Sequence, residues 1–317
     1  MELKSDILLQ KTISLLKEQN YMVCQQVVNK NFCFDIAARK NNVIFLIKVM
    51  LDIDNFQEIQ ANDLKIFSKI LLTRPIIMGE RTRTGLIEDD VVYQRFSIPA
   101  INLQTLHHIL KENLWPLVYA KRGGYYVKLN FEVLKNIREK NQLSLKYIAD
   151  LVGVSRKSIY EYERGSMDTT LTTASKLEEL FDVALAVPID LINWELGEAS
   201  YPNEPFKNEL QMMVGKILIG LGLNTFPIKT SPFDMLASYD LFKLLTSLED
   251  PSKTEMLEKI QSVKMLSKVI GSNFLMVVNK KECKHNIDGV PVLGKDELKK
   301  FKKPGDLLKK IEEMVES

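Results

Sequence analysis

The sequence predicts an α/β protein with an all-α centre. Two related α/β units, residues 1–116 and 201–317, flank a middle segment, 117–200, built from a β-hairpin and short helices. Three observations predict this. A helix–Gly–helix stretch, Leu143–Gly165 (LSLKYIADLVGVSRKSIYEYERG), stands near the middle of the chain. One order of helical and strand patterns appears both before and after it. Gly123-Gly124 separates two alternating runs just ahead of it, a two-residue hairpin signal.

The elements follow in order. Ile7, Leu8, Thr12, Leu15 and Leu16 give residues 5–18 a helical period. Residues 21–28 (YMVCQQVV) read as a strand. Residues 33–39 and 43–50 read as a hairpin around Lys40-Asn41-Asn42. A long amphipathic helix spans about 56–72. Strands at 75–79, 91–94 and 98–101 and a helix from Leu103 to Lys111 complete the first unit. Residues 207–317 repeat this order. Leu64–Leu71 (LKIFSKIL) pairs with Val263–Ile270 (VKMLSKVI), Pro75–Met78 with Phe274–Val277, and Ser97–Leu106 with Gly289–Leu298. Phe34-Asp35 pairs with Phe233-Asp234, and Leu46-Ile47-Lys48 with Leu241-Phe242-Lys243. Pro202 and Pro205 suit a linker before the second copy.

The central stretch predicts two short helices joined by a tight turn. Ser144 is the expected N-cap of the first, and Leu145, Ile148, Ala149 and Val152 share one face. Gly153 reverses the chain, because that corner needs a left-handed residue. Ser155 caps the second helix, with Ile159 and Tyr162 turned inward. Arg156, Lys157, Tyr160 and Glu161 are expected to point outward. Arg and Lys at the start of such a helix suit guanine O6 and N7 in the major groove. Lys121 and Arg122 sit at the hairpin tip, either as a phosphate-touching wing or as solvated charges on a spacer.

Composition restricts the alternatives. Net charge is +2, so the chain has no polybasic tail. Residues Phe131–Asp168 carry seven Lys/Arg against six Asp/Glu, so phosphate affinity depends on local placement or on two copies acting together. No apolar run approaches the roughly 18 residues of a membrane span, and the MELKSD start lacks a signal peptide's apolar core. Cys24, Cys33 and Cys283 are too dispersed for a disulfide framework or zinc finger, which points to a cytoplasmic protein with reduced thiols. Cys283-Lys284-His285 lacks partners for a metal site. His107-His108 lie on a helix with no carboxylate or Cys at ligand spacing, so exposed histidines are expected. Glu80–Gly85 reads as a solvated turn or phosphate grip, and Glu88-Asp89-Asp90 beside it would repel DNA. No nucleotide-binding or GxSxG motif is present, so neither a cofactor nor a catalytic residue is predicted.

Several of these patterns resemble known families. Leu134-x-x-Ile137-Arg138, Ser144-Leu145, Ile148-Ala149-x-x-x-Gly153-Val154-Ser155 and Ile159-x-x-Tyr162-Glu163-Arg164-Gly165 resemble the Cro/lambda-repressor class of helix-turn-helix domain. That class implies five helices. Leu171, Ala174, Leu177 and Leu180 would form the inner face of the fourth, and residues 188–192 (PIDLI) the fifth. The flanking units resemble the PD-(D/E)xK nuclease fold, in which an Asp and a Glu hold Mg²⁺ and a Lys two residues after the Glu assists. Asp35 and Lys48 match, as do Asp234 and Lys243, but Leu46 and Leu241 occupy the Glu positions. Leu cannot ligate a hard cation, so an inactive scaffold is expected, serving self-association or a protein partner. FDIAAR, FLIKV, GERTR-x-G, EDDVVY, IPAIN and PLVYA-x-x-GGYYV, followed by the helix-turn-helix, resemble the archaeal HTH-type transcriptional regulatory proteins over about residues 1–195.

The resulting expectation is a homodimeric, sequence-specific double-stranded-DNA-binding regulator. Arg156 and Lys157 would read base edges, and Glu161 would accept from cytosine N4. Ser144, Ser155 and Arg164 would touch phosphate, and Tyr160 either. The rival is a Mg²⁺-dependent endonuclease or resolvase directed by the same helices.

Overall fold

The computed structural model describes residues 2–26, 31–199, 206, 208–248, 253–279 and 286–316. Pro202, Pro205 and the Cys283–His285 segment lie outside the described residues.

The first unit runs α1 (Glu2–Glu18), β1 (Met22–Gln25), β2 (Ile36–Lys40), β3 (Val43–Val49), α2 (Glu58–Leu71), β4 (Arg74–Met78), β5 (Val91–Arg95), β6 (Ile98–Ile101) and α3 (Leu103–His107). Strands β3, β4 and β6 are parallel; β1 runs antiparallel to β2, β2 to β3, and β5 to β6. The run VIFLIKV is almost continuously apolar because β3 is covered on both faces. Phe45, Ile47 and Val49 pack beneath α1, while Ile44 and Leu46 pack on the α2 side.

The centre runs β7 (Val118–Lys121), β8 (Gly124–Val127), α4 (Phe131–Lys140), α5 (Leu145–Val152), α6 (Arg156–Tyr162), β9 (Thr169–Thr170) and α7 (Leu171–Phe181). The hairpin is not a free-standing spacer. β7 pairs in parallel with β5, and β8 pairs with β9, so one nine-stranded sheet carries the helical module on its edge. Lys121 pairs with Gly124, which makes Arg122-Gly123 the two-residue loop rather than Gly123-Gly124.

The helical module has four helices, not five. Pro188–Ile192 forms no helix; Asp190 instead accepts hydrogen bonds from the backbone of Ile192 (2.8 Å) and Asn193 (3.0 Å), closing a turn. Burial explains the difference. Ile189 and Leu191 enter the apolar core under α1, and Trp194 Nε1 donates to Ser97 O at 2.9 Å, so the segment straps back onto the first unit. On α7 the inner face is Thr173, Ala174 and Leu177, with Phe181 half-buried; Leu171 and Leu180 are exposed.

The C-terminal part runs α8 (Glu209–Gly220), β10 (Asn224–Pro227), β11 (Met235–Tyr239), β12 (Phe242–Ser247), α9 (Lys253–Ile270), β13 (Asn273–Val278), β14 (Asn286–Ile287), β15 (Val290–Gly294), α10 (Lys295–Leu298) and α11 (Pro304–Glu316). Its sheet, β10-β11-β12-β13-β15-β14, has the same order and strand senses as β1-β2-β3-β4-β6-β5. Register corrects one sequence match. Ile36 pairs with Ile47 and Met235 with Thr246, so Lys48 corresponds to Ser247 and Leu46 to Leu245. Lys243 lies nearer the hairpin turn, and Leu241 is 95% exposed at that turn.

The two units share one core. Phe67 of α2 lies between Phe34 (ring centroids 6.0 Å) and Phe233 (5.4 Å). Ile260, Val263 and Leu266 of α9 join the same cluster, with α9 lying against β1 and β2. Buried Asp63 accepts from Lys229 N (3.0 Å), Thr230 N (2.7 Å) and Thr230 Oγ1 (2.6 Å) across this junction.

Candidate nucleic-acid interface

Local sequence builds the helix–turn–helix. Ser144 Oγ accepts from Tyr147 N at 3.1 Å and starts α5. Ile148, Ala149 and Val152 are buried, and Leu145 is half-buried beside them. Gly153 adopts φ 78°, where the N–H groups of Gly153 and Val154 both reach Ala149 O at 3.0 Å. Ser155 Oγ accepts from Ser158 N at 3.0 Å and starts α6, whose Ile159 and Tyr162 complete the core.

Two glycines in this module are expected to differ in their tolerance of Ala. A Cβ at Gly153 would meet only Lys176 Nζ at 3.9 Å, so Gly153→Ala should cost about 1 kcal/mol from left-handed backbone alone. At Gly165 (φ 65°) the Cβ would lie 2.9 Å from Phe131 Cδ1, so Gly165→Ala should cost more. Urea unfolding of the two variants checks the order.

An ion pair between half-buried Arg138 and buried Glu163 ties the module together. Glu163, at the end of α6, receives Arg138 Nε at 2.6 Å and Arg138 Nη2 at 2.9 Å, and Arg138 Nη1 donates to Leu143 O at 3.2 Å. One guanidinium therefore clamps α4, the α4–α5 loop and the end of α6.

Four of the nine sequence-predicted residues, Arg156, Lys157, Tyr160 and Glu161, lie on α6 itself. Arg156 and Lys157 are exposed on its first turn, and neither has an ionic or hydrogen-bonding partner among the described residues. Tyr160 is 45% exposed, and the Arg164 guanidinium stacks over its ring at 5.4 Å. Glu161 is less free than expected: it is half-buried, and its carboxylate accepts from Ser166 Oγ. Ser144 and Ser155 are exposed and act as helix caps.

The hairpin is tied to this module. Tyr119 Oη donates to Asp168 Oδ2 at 2.5 Å, just before β9. Burial first, then the Asp168 carboxylate, pushes the Tyr119 phenol far above its usual range. At the tip, Lys121 Nζ sits 4.2 Å from the Tyr126 ring centre, whereas exposed Arg122 has no partner among the described residues. The nearby acidic run is internally engaged. Glu88 accepts from Tyr125 Oη (2.7 Å) and Asp89 from Asn102 Nδ2 (2.6 Å), and Asp90 lies 2.8 Å from His108 Nδ1.

The nuclease-like constellation is incomplete. Asp35 Oδ1 accepts from Lys48 Nζ at 3.1 Å and Oδ2 from Val49 N at 2.7 Å. Burial outweighs these partners and holds the Asp35 carboxyl above the usual range. A cavity of about 620 Å³ opens here, bounded by Asp6, Asp35, Lys48, Asp52, Gln60 and Arg81. Leu46 contributes no ligand; it is fully buried in the shared apolar core. In the C-terminal unit Asp234 Oδ2 likewise accepts from Leu248 N at 2.8 Å, but the Lys48 position is Ser247.

Family comparison matches a PD-(D/E)XK superfamily domain to residues 5–116 and a helix-turn-helix to residues 134–187. A Thermococcus kodakarensis protein is 34% identical over 96% of this chain and 95% of its own length. One from Methanobrevibacter smithii is 35% identical over 96% of both chains, and one from Methanocaldococcus jannaschii 34% over 99% of both. All three are named HTH-type transcriptional regulatory proteins, a designation their names mark as provisional. The chain belongs to this archaeal HTH-type regulatory protein family. No solved structure matches it.

For this member of the HTH-type family, sequence reasoning found the α6 surface but missed what holds it. The Arg138–Glu163 clamp joins residues far apart in sequence, and the Tyr119–Asp168 bond depends on β8 meeting β9. The β-branched pair Thr169-Thr170 is the one local hint of that strand. No helix among the described residues is long and apolar enough to cross a membrane.

Proposed function

We propose that this protein is a sequence-specific double-stranded-DNA-binding transcriptional regulator that acts as a homodimer in the cytoplasm. The observation carrying the reading is the pair Arg156 and Lys157, exposed and uncompensated on the first turn of α6, while the opposite face of that helix is buried. Their charge and reach suit guanine O6 and N7. The Tyr160–Arg164 stack and Arg122 suit the phosphate backbone, as do Lys121 and the Ser144 and Ser155 caps. Glu161 reads cytosine only after releasing Ser166. The chain carries one helix-turn-helix and a net charge of only +2, so a second copy placed one DNA turn (about 34 Å) away supplies the affinity that one lacks. The flanking units serve as frame and as a surface for protein partners rather than as a nuclease, since Leu46 removes the second carboxylate.

On sites selected from random duplex DNA, Arg156→Ala is expected to weaken binding by about 1–3 kcal/mol and to relax preference at one base pair. Unchanged affinity and selectivity would refute the assignment. Plasmid incubated with Mg²⁺ or Mn²⁺ should remain uncut; nicking that Asp35→Ala abolishes would establish the nuclease instead.

A further inference from the structure

The paired histidines where α3 ends lie outside the DNA-binding reading, and the structure corrects what the sequence suggested about them. After His107 the backbone widens into a π-turn, His108–Glu112, ended by Asn113 at φ 54°. In an α-helix, residues five apart point about 140° away from each other. The wider turn brings them onto one side, and His107 Nδ1 lies 3.7 Å from Glu112 Oε1. That nitrogen is shielded from solvent and has no hydrogen-bond partner. His108 Nδ1 lies 2.8 Å from Asp90 Oδ1. Asp90 is itself held by its N–H, which donates to Thr105 Oγ1 at 2.8 Å. One ligating atom each from His107, His108 and Glu112 falls within 4.8 Å of the others.

We propose that His107, His108 and Glu112 form a Zn²⁺ site, with Asp90 as the outer carboxylate that orients His108. Two imidazoles and a carboxylate suit a borderline divalent ion, not Mg²⁺ or Ca²⁺. Zn–N and Zn–O bonds of about 2.0–2.1 Å set tetrahedral ligand atoms about 3.4 Å apart, which modest side-chain rotations reach. An Nδ1–H to Asp90 bond presents His108 Nε2 to the metal, the arrangement carboxylates commonly impose on zinc histidines. Gln104, whose Nε2 lies 2.7 Å from His108 Nε2, gives way. Neighbouring Glu18 does not compete, because Lys111 holds it at 2.8 Å. Three protein ligands leave a fourth position for water or another group. The π-turn supports the assignment, since such turns are rare and concentrate at functional sites.

Calorimetric titration of the chelator-stripped full-length chain with Zn²⁺ should show one saturable site, and Co²⁺ in its place should give visible d–d absorption. Asp90→Asn is expected to weaken binding by about 10–100-fold, and His107→Ala and Glu112→Gln by at least as much, with unchanged circular dichroism. The unmutated chain gives an independent readout, because it has only three histidines. Zn²⁺ should shift the ring nitrogen resonances of His107 and His108 and spare His285. Absence of saturable binding, shifts confined to His285, or full affinity in a His107→Ala/Glu112→Gln double variant would overturn the site.

Discussion

Phe67→Ala is expected to destabilise both α/β units together, by about 3–5 kcal/mol. The ring is fully buried and sits between Phe34 of its own unit and Phe233 of the other. Truncation removes the transfer energy of the ring and leaves a cavity that two units must close at once. Neither can do so alone, because α2 is held against the second unit by the three hydrogen bonds to Asp63, and α9 lies on β1 and β2. Scanning calorimetry should therefore show one transition for the α/β body, shifted as a whole. Two separate transitions, with only one displaced by the substitution, would show that the units fold independently.

Arg138→Met is expected to cost about 3–5 kcal/mol, because it strands a buried carboxylate. Glu163 is 8% exposed and takes both of its short charged hydrogen bonds from this one guanidinium. The double variant Arg138→Met/Glu163→Gln should recover much of the loss, since the amide carries no charge to leave unpaired. DNA binding should fall in the single variant although Arg138 is not among the proposed DNA contacts, because the end of α6 loses its anchor. Urea unfolding monitored by far-ultraviolet circular dichroism checks the stability; near wild-type stability for the single variant would show that water satisfies Glu163 instead.

The sequence by itself determined the local units of this protein. Both helix starts in the helix-turn-helix follow from serines whose hydroxyls reach backbone N–H groups three residues on. The corner follows from a glycine at φ 78°, and the β2–β3 hairpin from Asn41 in a left-handed turn. The outward position of Arg156 and Lys157 follows from helical spacing once Ile159 and Tyr162 face inward. These features depend on atoms within a few residues of one another, so periodicity and residue type suffice to read them.

Only the tertiary structure decided the rest. Residues 188–192 carry a helical start signal, yet burying Ile189 and Leu191 in the first unit's core outweighs the few hydrogen bonds a single turn would gain. The match of Lys48 to Lys243 failed because pairing is set by whole hairpins, and shifting β12 to align the two lysines would displace its buried residues. The joint core around Phe67, the edge-on attachment of the helical module through β5–β7 and β8–β9, and the π-turn that brings His107 to Glu112 all depend on complementary surfaces or on packing at a helix end. Contacts between distant residues leave little trace in local sequence pattern, because many side chains share the periodicity of a buried face but only one set of partners fits it.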